Sequence, residues 1–510
     1  MRESKASGNS ILRIVFVAVS LLFQVVWILA LVLRLNAYSV WLSLLTRFLA
    51  LAVVLRLAAK HTESAMKLPW IILIMAFPVM GISLYLLMVG FGDLGKAGKR
   101  LRRIRQSLYP QLGQDEQTMH HAAEHPQPLA GISQYLWQNA HSPVYENTAV
   151  TYYAQAKDAF EALKTELSKA EHFIFMEYFI LSDTSAFREI LQILADKVKQ
   201  GVEVRLMYDD VGSIGLVNLQ YAKRLNEMGI RCRVFNPVLP VLNVFLNHRD
   251  HRKITVIDGK VGFTGGYNLS DEYFDRVRPY GHWKDTGIRM EGEAVRSLTS
   301  LFLENWNLNL GREKADAPYL SVCHRVRGEG FVQPFGDDPL GEERVMENLL
   351  LQLAYNAKHT LYLMTPYLLI TEELNRALCL AAKRGVDVRI LTPGIPDKKV
   401  VFAMTRSYYG ELAAHGVRIF EYTPGFCHGK QCVCDGRIAC IGTSNLDYRS
   451  LYLHFENNVV LADCEAVLRI EEDFMDTFAL CREVSEDYRQ GRKRILMLWQ
   501  CLLRLFAPLV

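Results

Sequence analysis

The 510-residue sequence lacks a large excess of charge of either sign. Its 58 Lys and Arg residues stand against 54 Asp and Glu, which gives a formal net charge of +4. Binding to nucleic acid through bulk electrostatics requires a larger basic surplus, or a basic stripe with interleaved aromatic residues. The soluble part of the sequence contains neither, so we expect no nucleic-acid partner.

Cysteine is also sparse, with ten residues spread over the whole chain. This is not the density of a disulfide scaffold, and we expect reduced thiols on a cytosolic face. The one grouping, Cys427, His428, Cys432 and Cys434, superficially resembles a zinc site. Structural zinc sites usually combine two separate cysteine knuckles. We therefore predict that these cysteines pack inside a strand, and we expect no metal and no cofactor.

The composition also excludes two broad classes of protein. Half of the residues are hydrophobic and 22% are charged, which argues against both a polytopic transporter and a disordered chain. The length is too great for a single small domain. The apolar excess must therefore be concentrated in particular segments.

The apolar segments lie near the amino terminus. Residues 11–35 include a run of twenty uncharged residues, and residues 68–90 form a second uncharged run. About 20 apolar residues span the hydrocarbon core of a bilayer, so we predict a transmembrane helix in each segment. A third span at 40–59 is possible, although Arg47 and Arg56 interrupt it. Two spans would place the amino terminus inside the cell and three would place it outside.

Six basic residues follow within ten positions: Lys96, Lys99, Arg100, Arg102, Arg103 and Arg105. Positive charge beside a span is retained on the cytoplasmic side and attracts anionic lipid headgroups. We therefore expect residues 1–92 to form a multi-pass transmembrane region in the cell membrane. Residues 93–140 would form a basic juxtamembrane linker, and the chain beyond it would face the cytoplasm.

The soluble part contains an internal repeat. The string AEHFIFMEYFI near residue 170 corresponds to AKHTLYLMTPYLL near residue 357, and VKQGVEVRLMYD corresponds to AKRGVDVRILTP. Short β-branched or aromatic runs alternate with amphipathic helices in each copy, which predicts a layered α/β fold. We assign the repeats to residues 141–320 and 321–490. The amphipathic segment 491–510 is either an interfacial helix or docked on the soluble part.

Each repeat ends in the same motif, H-x-K-x4-D followed by G-x2-N. The matching residues are His251, Lys253, Asp258 and Asn268 in the first copy, and His428, Lys430, Asp435 and Asn445 in the second. Residues two apart in a strand project from one face, so each histidine and its lysine point together. A pseudo-twofold pairing of the copies would bring two histidines and two lysines to one seam.

Such a seam is suited to a phosphate group. The lysines would supply positive charge, and Asn268 and Asn445 would supply donors to the non-bridging oxygens. One neutral histidine can attack phosphorus while the other, protonated, gives its proton to the leaving alcohol. We assign the attack to His251, although the near symmetry of the copies does not separate the two roles.

A histidine in this role needs a partner that fixes its tautomer. The carboxylates that follow the motifs are Asp285 in HWKDTG and Glu456 in HFENN, and we predict that these orient the histidines. Asp258 and Asp435 have the opposite strand parity from the lysines, which favours bracing of a turn. Glu177 has no acidic counterpart in the second copy, and the sequence assigns it no role.

At these residues the sequence resembles the phospholipase D superfamily, and within it the bacterial cardiolipin synthases. The duplicated HKD motifs carry the resemblance, together with the strings MEYFI, GFTGGYN, GTSNLDYRSL and HFENN. It implies a duplicated α/β sandwich with pseudo-twofold symmetry, preceded by transmembrane helices. It also implies that the HKD residues of both copies, the two aspartates included, form the catalytic site.

The implied reaction is phosphatidyl transfer through a phosphohistidine. One phosphatidylglycerol would give its phosphatidyl group to the enzyme with loss of glycerol, and a second would accept it to form cardiolipin. Two other functions remain open. The same site could hydrolyse phospholipid or nucleic acid with water as the acceptor, or the chain could be an inactive scaffold, which the two intact motifs argue against.

Overall fold

The computed structural model describes residues 40–60, 63–86, 94–125, 128–218, 220–238, 247–310, 317–341 and 343–489, with scattered positions between 15 and 34 and at 503, 504 and 507. The predicted span at 11–35 lies largely outside the described residues. Within the described ranges, no helix combines the length and the apolar character that crossing a bilayer requires.

Three helices form the first described unit: α1 (Val40–Ala58), α2 (Ser64–Ala76) and α3 (Pro78–Tyr85). They share a small core that includes Ala50, Leu57 and Ile74. Large apolar side chains on α1 remain exposed, such as Trp41 at 82% and Phe48 at 68%. The possible third span at 40–59 therefore corresponds to a single helix with an uncovered apolar surface.

The predicted continuous span at 68–90 is interrupted, and this prediction was wrong in its described part. Phe77 leaves the helical region with φ −134° and ψ 75°, and Pro78 begins a new helix. A proline has no N–H to continue the preceding helix, but it fits the first position of the next one. Gly81 then packs so closely on α2 that an added Cβ would lie 2.5 Å from the Ile74 Cα.

The segment 93–140 is folded and is more than a linker. It contains α4 (Leu94–Leu108), α5 (Glu116–Glu124) and α6 (Leu129–Ala140). The apolar face of α4, with Leu101, Ile104 and Leu108, is buried in a core made by both repeats. Most of the basic residues that suggested a linker, such as Lys99, Arg102 and Arg103, lie on the exposed face, whereas Arg105 turns inward and pairs with the buried Glu304, because apolar and basic residues alternate at helical spacing in this segment.

The first repeat contains a seven-stranded mixed sheet, with helices and two short strands outside the sheet. Its strands are β1 (Thr148–Tyr153), β2 (Phe173–Tyr178), β3 (Glu203–Asp209), β4 (Arg231–Phe235), β5 (Arg249–Asp250), β6 (Lys253–Ile257), β7 (Val261–Gly265), β8 (His282–Lys284) and β9 (Gly287–Gly292). Its helices are α7 (Ala156–Lys169), α8 (Ser185–Lys199), α9 (Tyr221–Glu227), α10 (Val295–Leu310) and α11 (Ala317–Leu320). The sheet has the order β1-β9-β7-β6-β2-β3-β4, and β5 and β8 lie outside it.

The second repeat has strands β10 (Phe331–Asp337), β11 (Thr360–Met364), β12 (Asp387–Pro393), β13 (Arg418–Tyr422), β14 (Gly425–Cys427), β15 (Gln431–Cys434), β16 (Ile438–Gly442), β17 (His454–Ala462) and β18 (Cys481–Glu483). Its helices are α12 (Val345–Asn356), α13 (Glu372–Lys383), α14 (Lys399–Ala414), α15 (Tyr448–Tyr452), α16 (Glu465–Ala479) and α17 (Ser485–Arg489). The strand order is β10-β17-β16-β15-β11-β12-β13-β18.

The two sheets have the same topology, which confirms the predicted duplication. The seven strands of the first sheet, in the order from β1 to β4, correspond one by one to the strands of the second sheet in the order from β10 to β13. Strand β18 is an additional strand at the edge of the second sheet. A central core contains apolar residues of both repeats, such as Ile254 of the first and Val433 of the second. Helices α10 and α16 contribute to this central core, so the repeats form one body.

Short strands also cross between the repeats. Strand β5 of the first repeat pairs in parallel with β17 of the second, and β14 of the second pairs in parallel with β8 of the first. Both crossing strands immediately precede an H-x-K motif. This exchange places the two motifs at the interface of the repeats, as the pseudo-twofold prediction requires.

The carboxyl-terminal segment 491–510 lies outside the described residues except at three positions. Leu503 and Ala507 pack on the outer core of the second repeat. The Arg504 guanidinium lies 4.1 Å from the ring centre of Tyr408 and 3.3 Å from a Glu372 carboxylate oxygen. These contacts favour docking of this segment on the soluble part, one of the two alternatives above.

Candidate active site

Both motif histidines sit in short connections whose backbone is held by the opposite repeat. The His251 amide donates to the Phe455 carbonyl at 2.9 Å, and the His428 amide donates to the Lys284 carbonyl at 2.7 Å. Strands β6 and β15 begin only at Lys253 and Gln431, so the histidines precede their strands. The hydrogen bonds replace the strand geometry that we expected to position the rings.

The side chain of His251 is oriented by Glu456 of the second repeat. Its Nδ1 lies 2.9 and 3.0 Å from the two carboxylate oxygens. The Thr443 hydroxyl donates to the same carboxylate at 2.5 Å. With its Nδ1 engaged by the carboxylate, His251 turns Nε2 away, and this nitrogen has no hydrogen-bond partner in the part of the chain that the structure describes.

The side chain of His428 is oriented by Asp285 of the first repeat. Its Nδ1 lies 2.6 Å from Asp285 Oδ2, and the carboxylate is fully buried. Gly266 is required beside this pair, because an added Cβ would lie 2.2 Å from Asp285 Oδ1 and 3.1 Å from the His428 carbonyl oxygen. The two predicted orienting residues thus contact the histidines in a crossed arrangement, which the sequence could not specify.

The two lysines lie in the same site. Lys253 Nζ donates to the His251 carbonyl at 2.6 Å, whereas Lys430 Nζ lies 2.8 and 2.9 Å from the ring nitrogens of His428. Each lysine interacts electrostatically with both Asp285 and Glu456. Two buried carboxylates and two buried lysines therefore surround one space.

Burial sets the protonation of the histidines. It is the main cause that lowers the pKa of His251 to about 3 and that of His428 to about 4. The neighbouring lysines lower both values further, and the orienting carboxylates oppose the shift. Both rings are therefore neutral near pH 7, and a neutral imidazole has a lone pair that can act as a nucleophile.

Burial also lowers the pKa of the two lysines, to about 7 for Lys253 and about 8 for Lys430. The charged form of each lysine is thus costly at these buried positions. An anion in the site would favour that charged form, because an opposite charge at short range raises the pKa of an ammonium group. The arrangement selects for an anionic ligand such as a phosphodiester.

The structure does not bring the motif aspartates to this space. The Asp258 carboxylate accepts hydrogen bonds from the amides of Glu171, His172 and Phe173, each at 2.8 Å. Asp435 accepts three equivalent bonds before β11. Both aspartates have positive φ, +52° and +51°, and lie at the strand ends remote from the histidines. They brace turns, as strand parity indicated, and do not contact the histidines as the motif resemblance implied.

The two asparagines are already hydrogen-bonded. Asn268 accepts from the Ile180 amide at 3.0 Å through its side-chain oxygen. The Asn445 side-chain nitrogen donates to Asp447 at 3.1 Å, and its oxygen has no partner among the described residues. Both asparagines are buried near the motifs, and their predicted contact with phosphate stays a prediction.

The surroundings of the two histidines differ. His428 is enclosed by the aromatic rings of Tyr273, Trp283 and Phe426, with centroids 5.2, 5.4 and 5.9 Å away. His251 contacts Phe179 at 4.9 Å and a further histidine, His454, at 5.5 Å. The sequence analysis assigned no role to His454, although the HFENN string contains it.

Behind His251 lies a network of buried charges that the motif alone did not indicate. Arg252 donates to Glu304 at 2.9 Å, and Glu304 also accepts from Arg105 on helix α4 at 2.6 Å. Glu177 belongs to the same region: Asn305 donates to it at 2.9 Å. Burial and the neighbouring Asp250 raise the pKa of Glu177 well above its ordinary value, against the effect of Arg252.

The cysteine grouping does not form a joint site. Cys432 and Cys434 lie in the outer core of the second repeat, whereas Cys427 lies in the central core. The set with possible metal-ligand spacing in the described ranges is His251, His454 and Glu456. The buried Lys253 ammonium close to it disfavours a cation at that place.

Comparisons with known proteins agree with this geometry. A family model described as cardiolipin synthase, PLD-like domain matches residues 163–287 and 350–477. Cardiolipin synthases of Halalkalibacterium halodurans and Geobacillus kaustophilus are each 34% identical, with 93% of this chain and 94% of theirs covered. An uncharacterized protein of Streptococcus mutans is 40% identical and covers 90% of this chain and 99% of its own.

The fold also has a solved counterpart. The crystal structure of phosphatidylserine synthase from Haemophilus influenzae superposes with a TM-score of 0.53 at 14% identity, covering 71% of this chain and 93% of that one. Two duplicated halves that each present an H-x-K motif to a shared seam define a phospholipase D-like protein. Within that class, the chain belongs to the cardiolipin synthase family.

Proposed function

We propose that the protein is a cardiolipin synthase that transfers a phosphatidyl group between two phosphatidylglycerol molecules. The observation that carries the proposal is the pair of buried, carboxylate-oriented histidines beside two buried lysines. The relatives described as cardiolipin synthases support the choice of substrate.

His251 is the nucleophile in this proposal. Its Nε2 lone pair is free, whereas Nε2 of His428 lies 2.9 Å from the Lys430 ammonium. In the first step, His251 Nε2 attacks phosphorus and the bond to the glycerol oxygen breaks. That oxygen takes a proton from His428, which leaves free glycerol and a phosphatidyl-histidine.

In the second step His251 is the leaving group and His428 acts as the base. A hydroxyl of a second phosphatidylglycerol attacks the phosphatidyl-histidine, and His428 accepts its proton. The phosphorus–nitrogen bond breaks, His251 is restored, and cardiolipin forms. His428 can serve as the acid, because the bound phosphodiester raises its pKa and Lys430 can return a proton to it.

Product analysis tests this function directly. Membranes containing the protein are incubated with labelled phosphatidylglycerol, and the lipids are resolved. Cardiolipin with an equal amount of free glycerol is expected. Phosphatidic acid as the sole product would instead mean that water is the acceptor and that the enzyme is a hydrolase.

A substrate with an activated leaving group tests the two histidine roles. A phosphatidyl ester of p-nitrophenol needs no proton to leave, so His428→Ala should still release p-nitrophenol in the first turnover. His251→Ala should release none. The reverse pattern would assign the attack to His428, and adducts quenched in base can be located by peptide mapping.

The proposal includes attachment to the cell membrane, with the site on the cytoplasmic side. The apolar sequence of 11–35, the exposed apolar side chains of α1 and the basic face of α4 support it. Segments within residues 1–92 would span the bilayer. Two experiments test this. Release of the protein from membranes by alkaline carbonate would contradict spanning segments. Cleavage of the repeats by protease added outside sealed, right-side-out vesicles would contradict the cytoplasmic orientation.

A further inference from the structure

His454 is a third histidine in the site and belongs to neither motif. It begins strand β17 and is 8% exposed. Its Nδ1 lies 3.7 Å from Glu456 Oε1. One ring nitrogen of His454, one of His251 and one oxygen of Glu456 lie within 4.8 Å of one another. The imidazole therefore faces the nucleophilic half of the site.

The ring of His454 has no hydrogen-bond partner for either nitrogen among the described residues, although both nitrogens are buried. Leaving a buried polar group unpaired costs about 1–3 kcal/mol. Folded proteins keep such groups rarely, and often at functional sites. The His454 backbone is fixed by pairing with Arg249, and its ring lies against Phe179 with the centroids 6.4 Å apart. A bound ligand must therefore supply the hydrogen-bond partner of the imidazole.

The Glu456 carboxylate lies 3.7 Å from His454 Nδ1, beyond hydrogen-bond distance, and the two buried lysines of the site, Lys253 and Lys430, favour an anion as the further partner. The nearby Lys253 is already costly to keep charged, so a second cation at this place would be unfavourable. A phosphodiester offers two non-bridging oxygens, and a ring N–H of His454 can donate to one of them. Charge-assisted hydrogen bonds of this kind are about twice as strong as neutral ones.

The first repeat has no histidine at the matching place. Trp283 precedes Asp285 by two residues, as His454 precedes Glu456, and its ring lies 5.4 Å from His428. An indole has one N–H donor and no acceptor nitrogen, whereas an imidazole has two ring nitrogens. Trp283 Nε1 is also buried without a hydrogen-bond partner among the described residues, so the two halves of the site present different donors at matching places.

We propose that His454 is a catalytic residue that donates a hydrogen bond to a non-bridging oxygen of the phosphoryl group while the bond to His251 forms. The proposal rests on the proposed function for the identity of the substrate. His454 makes no covalent bond and acts by stabilising charge on the five-coordinate phosphorus.

The test compares His454→Phe with His454→Asn in the full-length protein. Phenylalanine keeps the ring and removes the donor, whereas asparagine keeps an N–H donor. Turnover of phosphatidylglycerol and inhibition by orthovanadate, which adopts five-coordinate geometry, are measured in mixed micelles. His282→Gln is the matched control, because His282 lies on β8 with its Nδ1 engaged by the Tyr422 hydroxyl at 2.8 Å.

His454→Phe should lower kcat about 10- to 100-fold, with KM nearly unchanged, and should raise the inhibition constant of vanadate by a similar factor. His454→Asn should recover most of both losses, and His282→Gln should match the wild type. Wild-type kcat and vanadate inhibition in His454→Phe would overturn the proposal, as would a loss that asparagine does not recover at all.

The outcome is separable from that of the proposed function. If the wild type makes cardiolipin and His454→Phe does so equally well, the inference fails and the function stands. If the wild type only hydrolyses lipid but vanadate inhibition still depends on His454, the function fails and the phosphoryl contact stands.

Discussion

Glu456 of the second repeat holds His251 of the first, with Nδ1 2.9 Å from Oε1. Asp285 of the first repeat holds His428 of the second in the same way, at 2.6 Å. Each histidine thus depends on the other repeat for its tautomer, in addition to the backbone hydrogen bonds to β17 and β8. Neither repeat contains a complete half-site by itself.

This crossed arrangement predicts the effect of neutralising each carboxylate. Glu456→Gln and Asp285→Asn should each lower kcat about 10²- to 10⁴-fold, because an amide can hold the imidazole in the wrong tautomer and does not stabilise its charged form. Turnover of phosphatidylglycerol is the measurement, with the exposed Glu465→Gln on α16 as the control. Near wild-type turnover in Glu456→Gln would show that this contact does not orient a catalytic histidine.

The motif aspartates should behave differently from the rest of the motif. The His172 and Phe173 amides share one oxygen of Asp258, which asparagine can keep, but Asp258→Asn places an NH₂ group against the Glu171 amide, and we expect a stability loss of about 1–3 kcal/mol. The fraction that remains folded should keep its kcat, because the carboxylate contacts neither histidine. Denaturant unfolding together with activity per folded molecule separates the two effects. A large loss of kcat with unchanged stability would instead support a catalytic aspartate.

The sequence predicted which residues form the site better than it predicted how the two repeats hold those residues. The duplicated H-x-K spacing identified the histidines and lysines, but strand parity does not position them, because both histidines precede their strands and are held by hydrogen bonds to the opposite repeat. It also pointed to Asp285 and Glu456 as nearby acids. The crossing of β5 and β14 between repeats was not predictable, since two-residue and three-residue strands leave no periodic signal in the sequence.

In the amino-terminal region, hydropathy and charge did not predict the structure correctly. Apolar content alone suggested one span at 68–90, but Pro78 breaks the helix and Gly81 lets the chain pack back on Ile74. Basic residues suggested a linker at 93–140, yet the apolar residues between them bury α4 in the central core. In both cases proline, glycine and the helical periodicity of apolar residues determine the structure more than mean hydropathy does.

The neutral histidines predict that acid destabilises the protein. Burial lowers the pKa of His251 from 6.5 to about 3 and that of His428 from 6.5 to about 4. Below pH 6.5 the unfolded chain binds protons that the native histidines do not bind. The part of the unfolding free energy that comes from keeping these histidines neutral is therefore fully present above pH 6.5 and is lost as the pH falls. At pH 5 the loss amounts to about 2 kcal/mol for each histidine.

The measurement is denaturant unfolding at pH 7.5 and pH 5 in mild detergent. A His251→Gln/His428→Gln double variant should lose about 4 kcal/mol less than the wild type over this interval, because glutamine does not titrate. An equal loss in both proteins would mean that other groups dominate the acid response.

The final prediction concerns the charge network that joins helix α4 to the first motif. Arg105 on α4 and Arg252 both contact the buried Glu304, and Arg252 lies between His251 and Lys253 in the chain. Removing one partner from a buried ion pair leaves an uncompensated charge and costs about 3–5 kcal/mol. Glu304→Gln should therefore lower stability by about this amount.

The same substitution should also reduce turnover in the molecules that remain folded. The Arg252 guanidinium donates to the Leu301 carbonyl at 2.8 Å as well as to Glu304, and these contacts fix the backbone that carries the nucleophile. Arg102→Ala, on the exposed face of α4, is the control and should leave both stability and kcat unchanged. If Glu304→Gln lowered stability but left kcat per folded molecule intact, the network would support the fold without positioning His251.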